Sequence, residues 1–165
     1  MLTLDRYLAI NHRIATALPG RAVKAAYRVD PGEDDPACED IGDLVLTLTD
    51  GELFITVDEG RRNIILFDDA ARVAGLRRPR GQLSGAETSP NVIDVLTAGP
   101  LLRVVVLRRP RGDSDYEEGH LCGLALTTRA GEVCVGAYLT ELDDAGVCVL
   151  DPGALDPSVE RTSLP

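Results

Sequence analysis

Two stretches of this chain carry the same order of residues, and that repetition limits the folds open to it more than any single motif does. Residues 20–57 place Gly20, Val23, Lys24, Tyr27 and Pro31 ahead of an acidic stretch, and then Leu44, Leu46, Thr47, Gly51, Glu52, Leu53 and Ile55. Residues 99–137 answer with Gly99, Leu102, Arg103, Val106 and Pro110, a second acidic stretch, and then Leu124, Leu126, Thr127, Gly131, Glu132, Val133 and Val135. The copies stand 79 positions apart before the acidic stretch and 80 after it, as one inserted loop residue requires. Two similar units are therefore expected.

Local patterns say what each unit contains. Leu4, Tyr7, Leu8, Ile14, Ala15 and Leu18 recur at helical spacing, Thr3 can cap the helix, and Pro19 and Gly20 end it, which predicts a helix over about 3–17. Residues 21–29 alternate, with Val23, Ala25, Tyr27 and Val29 on one face of a strand. Residues 30–43 hold two prolines and seven carboxylates and read as a loop. Asp50 and Gly51 signal a type I′ hairpin turn, pairing Leu48 with Leu53, Leu46 with Ile55 and Leu44 with Val57. Residues 63–67 are apolar on both faces and predict a covered strand. Asp68 and Asp69 offer a cap for a short helix to about residue 74, and the Arg- and Gly-rich stretch 75–89 reads as a mobile or exposed connection.

The second unit opens with Ser89 as cap and Pro90 as first residue of a helix closed by Gly99. Strands follow at about 101–108, 122–128, 132–142 and 146–150, with a turn at Ala130 and Gly131 that sets Leu126 opposite Val135, Leu124 opposite Ala137 and Cys134 opposite Thr127. The tail after Asp151, with Pro152, Pro157 and Pro165, reads as surface-lying or disordered. The fold class is α+β, with internally duplicated helix-plus-antiparallel-strand units forming a curved sheet or a partly open barrel with helices packed on it. The domain reading is a single domain, 1–165, made of pseudo-repeats at about 3–68 and 89–150, a 69–88 connector and a 151–165 tail. At 165 residues the core is large enough to need neither metal nor disulfide.

Charge then narrows the partners. With 17 basic and 27 acidic residues the chain carries a net charge of −10, which repels phosphate backbones and anionic lipid, so nucleic acid and membrane are poor partners. No basic leader, bilayer-length apolar run or C-x-x-C spacing is seen, and the four cysteines, 38, 122, 134 and 148, read as reduced small hydrophobes. The expected compartment is cytoplasmic, and the near-exclusive use of arginine, Lys24 being the exception, matches a GC-rich bacterial genome.

The leading candidate site is the pair of acidic loops. Glu33, Asp34, Asp35, Glu39, Asp40 and Asp43 lie in the first, and Asp113, Asp115, Glu117 and Glu118 in the second. Joining corresponding strands, they either concentrate negative potential toward a cationic partner or simply keep exposed loops soluble. The alternation of Asp113, Asp115 and Glu117 lacks the in-register Gly and distal Glu of a calcium loop, so no metal or other cofactor is called for.

The sequence Arg-Arg-Pro-Arg-Gly occurs at 77–81 and at 108–112. Its arginines either grip an anionic ligand or pair with the acidic loops and solvent. His12, His120 and Cys122 form no catalytic constellation. Cys122 in particular is expected to point into the core with Leu124 and Leu126.

The hairpin stretch from Asp40 to Gly60 resembles the β-hairpin cores of immunity proteins from bacterial toxin systems. That resemblance implies a non-catalytic, acidic protein-binding module that neutralises a co-encoded toxin by covering a basic surface. The alternative is a small-ligand-binding protein or enzyme with an anion site between the two repeats, and self-association is a third reading.

Overall fold

The computed structural model describes residues 4–29, 43–58, 63–69, 79–82, 91–109, 121–140 and 147–164. These residues form an α+β fold that is mostly antiparallel sheet. Helix α1 spans Leu4–Ala17, as its apolar spacing predicts, and buries Ile14 and Ala15, with Leu18 just beyond its end, while His12, Arg13 and Thr16 stay exposed. Gly20, at φ +89°, turns the chain out of the helix in a conformation that side chains disfavour.

Strands β1 (Val23–Val29), β2 (Asp43–Leu48), β3 (Gly51–Asp58) and β4 (Asn63–Phe67) form a meander, and β5 (Pro79–Gln82) returns to pair with the free edge of β1. After the short helix α2 (Val92–Leu96), strands β6 (Arg103–Arg108), β7 (Leu121–Thr128), β8 (Gly131–Gly136) and β9 (Cys148–Leu150) form a second meander. A 3₁₀ turn at Pro152–Ala154 then leads to β10 (Glu160–Ser163), which returns to the free edge of β6. The sheet orders are β4-β3-β2-β1-β5 and β10-β6-β7-β8-β9. The described strands thus divide between two five-stranded sheets in place of the single curved sheet or partly open barrel expected, and no closed barrel is seen among them.

One core lies between the sheets. Leu44, Leu46, Leu53, Ile55, Ile64 and Leu66 from the first meet Leu124, Leu126, Val133, Val135 and Val149 from the second, and α1 and α2 add Ile14, Val92 and Leu96. The alternate residues form smaller clusters on the opposite faces: Val45, Phe54, Ile65 and Phe67 on the first sheet, and Val105, Leu107, Cys122, Ala125, Cys134 and Leu139 on the second. Both faces of both sheets therefore carry apolar residues, as expected for β4 alone.

Several sequence expectations are corrected. In the first hairpin Leu46 pairs with Leu53 and Leu44 with Ile55, and in the second Leu126 pairs with Val133, Leu124 with Val135, and Cys134 with Ala125 rather than Thr127. Both registers sit two residues from the expected ones, because the turns fall at Thr49–Asp50 and Arg129–Ala130. Among the described residues positive φ outside glycine is confined to Asn91 and Tyr138, so neither turn is type I′. A shift of two preserves which side chains face the core, and the apolar alternation is satisfied by either register.

Strand β1 does not alternate cleanly. A bulge between Val23 and Ala25 puts Val23 and Ala26 together in the main core. The residue opposite Thr47 is Ala25 and that opposite Thr127 is Arg103, a separation of 78 (103 − 25), so the Lys24–Arg103 correspondence is displaced by the extra residue.

Within the 69–88 connector, Pro79–Gln82 forms β5. The tail does lie at the surface, but as an ordered strand. Helix α2 starts at Val92 after Asn91 in the left-handed conformation, whereas Ser89, Pro90 and most of the helix expected over 68–74 lie outside the described residues.

Candidate functional site

The strands locate the stems of the two acidic segments. The first leaves from Val29 and returns at Asp43, which face each other across β1 and β2. The second leaves β6 and returns at Leu121, which faces Arg108. Near the opposite ends of β1 and β6 the two sheets touch. Ala22 and Pro100 form an antiparallel bridge, Gly20 N donates to Leu101 O at 2.7 Å and Leu101 N to Arg21 O at 2.8 Å. Glu33, Asp34, Asp35, Glu39, Asp40, Asp113, Asp115, Glu117 and Glu118 lie outside the described residues, as do Cys38 and His120; only Asp43 has a place, at the start of β2.

A cleft of about 240 Å³ opens beside the stem of the second acidic segment. Leu8, Asn11, His12 and Ala15 of α1 form one wall, Val106, Arg108 and Leu121 another, and Thr162, Ser163 and Leu164 at the C-terminus the third. The apolar spacing of α1 accounts for Leu8 and Ala15, and the half-buried Arg108 belongs to the repeated arginine motif. The C-terminal wall was not legible, because a proline-containing tail gives no sign of returning to a sheet edge.

Asn11, on the same wall, is 1% exposed, and both ends of its amide are engaged. Nδ2 donates to Ile64 O at 2.8 Å and Oδ1 accepts from Leu66 N at 2.8 Å, so α1 closes the outer edge of β4 as another strand would.

The arginines of the second motif divide. Arg108 lines the cleft. Arg109 turns to the C-terminal segment, its Nη1 donating to Tyr138 O and Thr140 O, both at 2.8 Å, and its Nη2 to Asp156 Oδ2 at 3.1 Å. Both members of that ion pair are mostly buried, at 12% and 14% exposure. This guanidinium is thus committed to the fold, by a carboxylate outside the acidic loops. Arg80 sits in β5, while Arg77, Arg78 and Arg111 lie outside the described residues. Elsewhere Arg21 Nε meets Asp50 Oδ1 at 2.8 Å, tying the end of α1 to the first hairpin turn.

Cys122 does not join Leu124 and Leu126. The register shift between Leu107 and Arg108 reverses its direction, placing it on the outer face of β7 with Sγ donating to Leu107 O at 3.3 Å. Burial pushes its thiol up to about 12, and burial does the same to Cys134, so neither supplies a thiolate at neutral pH. Among the described residues no group of three or more His, Cys, Asp or Glu is arranged to hold a metal ion, and no helix is long and apolar enough to cross a membrane. No protein-family model matches the chain, and no curated protein or solved structure shows significant similarity to it.

Proposed function

We propose that this chain is an acidic, non-catalytic binding module that engages a basic protein partner through its two acidic segments, as an immunity protein neutralising a cognate bacterial toxin in the cytoplasm would. The observation carrying this reading is topological. Each acidic segment joins the first and second strands of a four-strand meander, in two sheets of matching strand order. We read that match as duplication of one unit, with the two segments as counterpart surfaces. The net charge of −10 supports steering toward a cationic surface.

The test is retention from a lysate of the native host on immobilised protein, compared with a variant carrying Glu33→Gln, Asp34→Asn and Asp35→Asn and the counterpart changes Asp113→Asn and Asp115→Asn. A basic protein held at low salt, and lost both at high salt and from the variant, supports the reading. Recovery of no protein, or equal recovery by the variant, overturns it.

The cleft favours a second reading, a small-ligand site between the two halves with Arg108 at its edge. At about 240 Å³ it lies below the ~300–1,000 Å³ usual for drug-sized ligands, so it suits a short carboxylate or phosphate ester. A thermal shift with such a compound, abolished by Arg108→Gln, supports this site; a flat profile across a panel of small anions removes it.

A further inference from the structure

The C-terminal segment 151–164 is fastened differently from the rest of the second sheet. It starts at the 3₁₀ turn, where Asp151 Oδ1 accepts from Gly153 N at 2.8 Å, and lays Leu155 and Val159 on the outer apolar face that holds Leu107, Cys122 and Cys134. It then pairs with β6 through Glu160–Ser163, all four of which are exposed, and ends with Leu164 in the cleft wall. Its apolar hold is thus limited to partly buried side chains, whereas the face beneath it is closed to solvent, Leu107 and Cys134 being 0% exposed.

Polar contacts add to this hold, and several of them meet at one pair. Asp156 accepts from Arg109, and its Oδ1 also takes the Ser158 N–H and hydroxyl at 2.8 and 2.7 Å. Its own N–H donates to Leu139 O at 2.8 Å. Arg109 holds the carbonyls on either side of Leu139, at Tyr138 and Thr140, so one guanidinium secures both the segment and the bend beneath it. Farther along, Arg161 pairs with the half-buried Glu132 at 2.6 Å, and the exposed Arg103 with Ser163 at 3.3 Å. Segments with few buried apolar contacts open at lower free energy than the core they cover.

We propose that residues 151–164 are a releasable strap latched by Arg109 and Asp156, whose opening bares the edge of β6 and the outer face of β7 and β8 and withdraws only the partly buried Leu164 from the core between the sheets. Because Leu164 leaves with it, the same opening removes one wall of the cleft. A partner that pairs with β6 or rests on this face binds the open form, and a ligand touching both α1 and Leu164 holds the strap shut.

Cys122 and Cys134, beneath the strap, report on it. In a Cys38→Ser, Cys148→Ser background, labelling of these two thiols by an aromatic disulfide reagent is expected to proceed in native buffer with little dependence on urea below the unfolding transition. Arg109→Gln or Asp156→Asn is expected to speed it by about tenfold or more, as loss of a charged hydrogen bond implies. Labelling that follows global unfolding with its full urea dependence, in the parent and the variants alike, overturns the strap.

Hydrogen exchange of the unaltered protein gives a reading independent of any variant. The amides of residues 155–163 are expected to exchange through openings of lower free energy than those of β2 and β3, and equal protection overturns the proposal.

Discussion

Gly123 and Gly136 face each other across β7 and β8 so closely that neither position has room for a side chain. A Cβ on Gly136 would fall 2.5 Å from the Cα of Gly123 and against the carbonyl oxygen of Cys122, and a Cβ on Gly123 would lie 2.7 Å from Val135 O. The approach follows from the bulge at Cys122, whose carbonyl accepts from Ala137 N at 2.9 Å. Backbone meets backbone there, so strain cannot be relieved by turning a side chain. Gly136→Ala is expected to cost about 3 kcal/mol or more, read as a lowered urea midpoint or loss of folded protein. A melting curve matching the parent would show that the two strands can separate.

Asn11 closes the edge of β4 with two hydrogen bonds from one buried amide. Asn11→Ala leaves the Leu66 N–H and the Ile64 carbonyl without these partners, which is expected to cost about 2–4 kcal/mol. Exchange of the Leu66 amide should rise with it. His12→Ala, one position on and exposed, should leave stability nearly unchanged, and a similar loss in both variants would assign the effect to α1 as a whole.

Arg13 and Asp68 join α1 to the end of β4 at 3.0 Å. The hydrogen bond from Arg13 is the main reason the Asp68 carboxyl is held below its ordinary value of 3.8, with partial burial opposing it. A carboxylate with a lowered pKa contributes stability above that ordinary value and loses it as pH falls below. The pair is largely exposed, so Asp68→Asn should cost no more than about 1 kcal/mol at neutral pH. The difference from the parent should fade as pH falls below the ordinary carboxyl value of 3.8 and shrink in high salt. A difference that persists in acid would point to packing instead of charge.

The thiols of Cys122 and Cys134 work in the opposite direction. Unfolded, each ionises near its ordinary value of 9; folded, burial defers this to about 12. The native state therefore binds more protons between those values, and stability falls as pH rises through them, by up to about 1.4 kcal/mol per pH unit for each thiol. Urea midpoints from pH 8 to 11 should decline more steeply for the parent than for Cys122→Ala or Cys134→Ala. Parallel curves would contradict the burial of these groups.

Much of the core was legible in the chain because alternation along a strand follows directly from backbone geometry. Leu44, Leu46, Leu53 and Ile55, and their counterparts Leu124, Leu126, Val133 and Val135, all face inward as their spacing predicts. Alternation fixes parity but not register, and both hairpins settled two residues from the positions suggested by Asp50–Gly51 and Ala130–Gly131. The bulges at Lys24 and Cys122 break parity locally, and nothing in the neighbouring residue types announces an extra residue in a strand. Of the candidate sites, the acidic residues were visible as composition, whereas the cleft joins segments more than 100 positions apart and has no local signature.

The sequence by itself determined which residues of the two hairpins turn inward, because side-chain direction along an unbulged strand is a property of that strand alone. Only the tertiary structure decided that the strands divide into two sheets, that Asn11 replaces a strand at one edge, and that the C-terminal residues complete the other sheet. Those outcomes depend on hydrogen-bond partners distant in sequence, and an unpaired sheet edge can be satisfied equally well by a helix side chain, a returning strand or a second molecule.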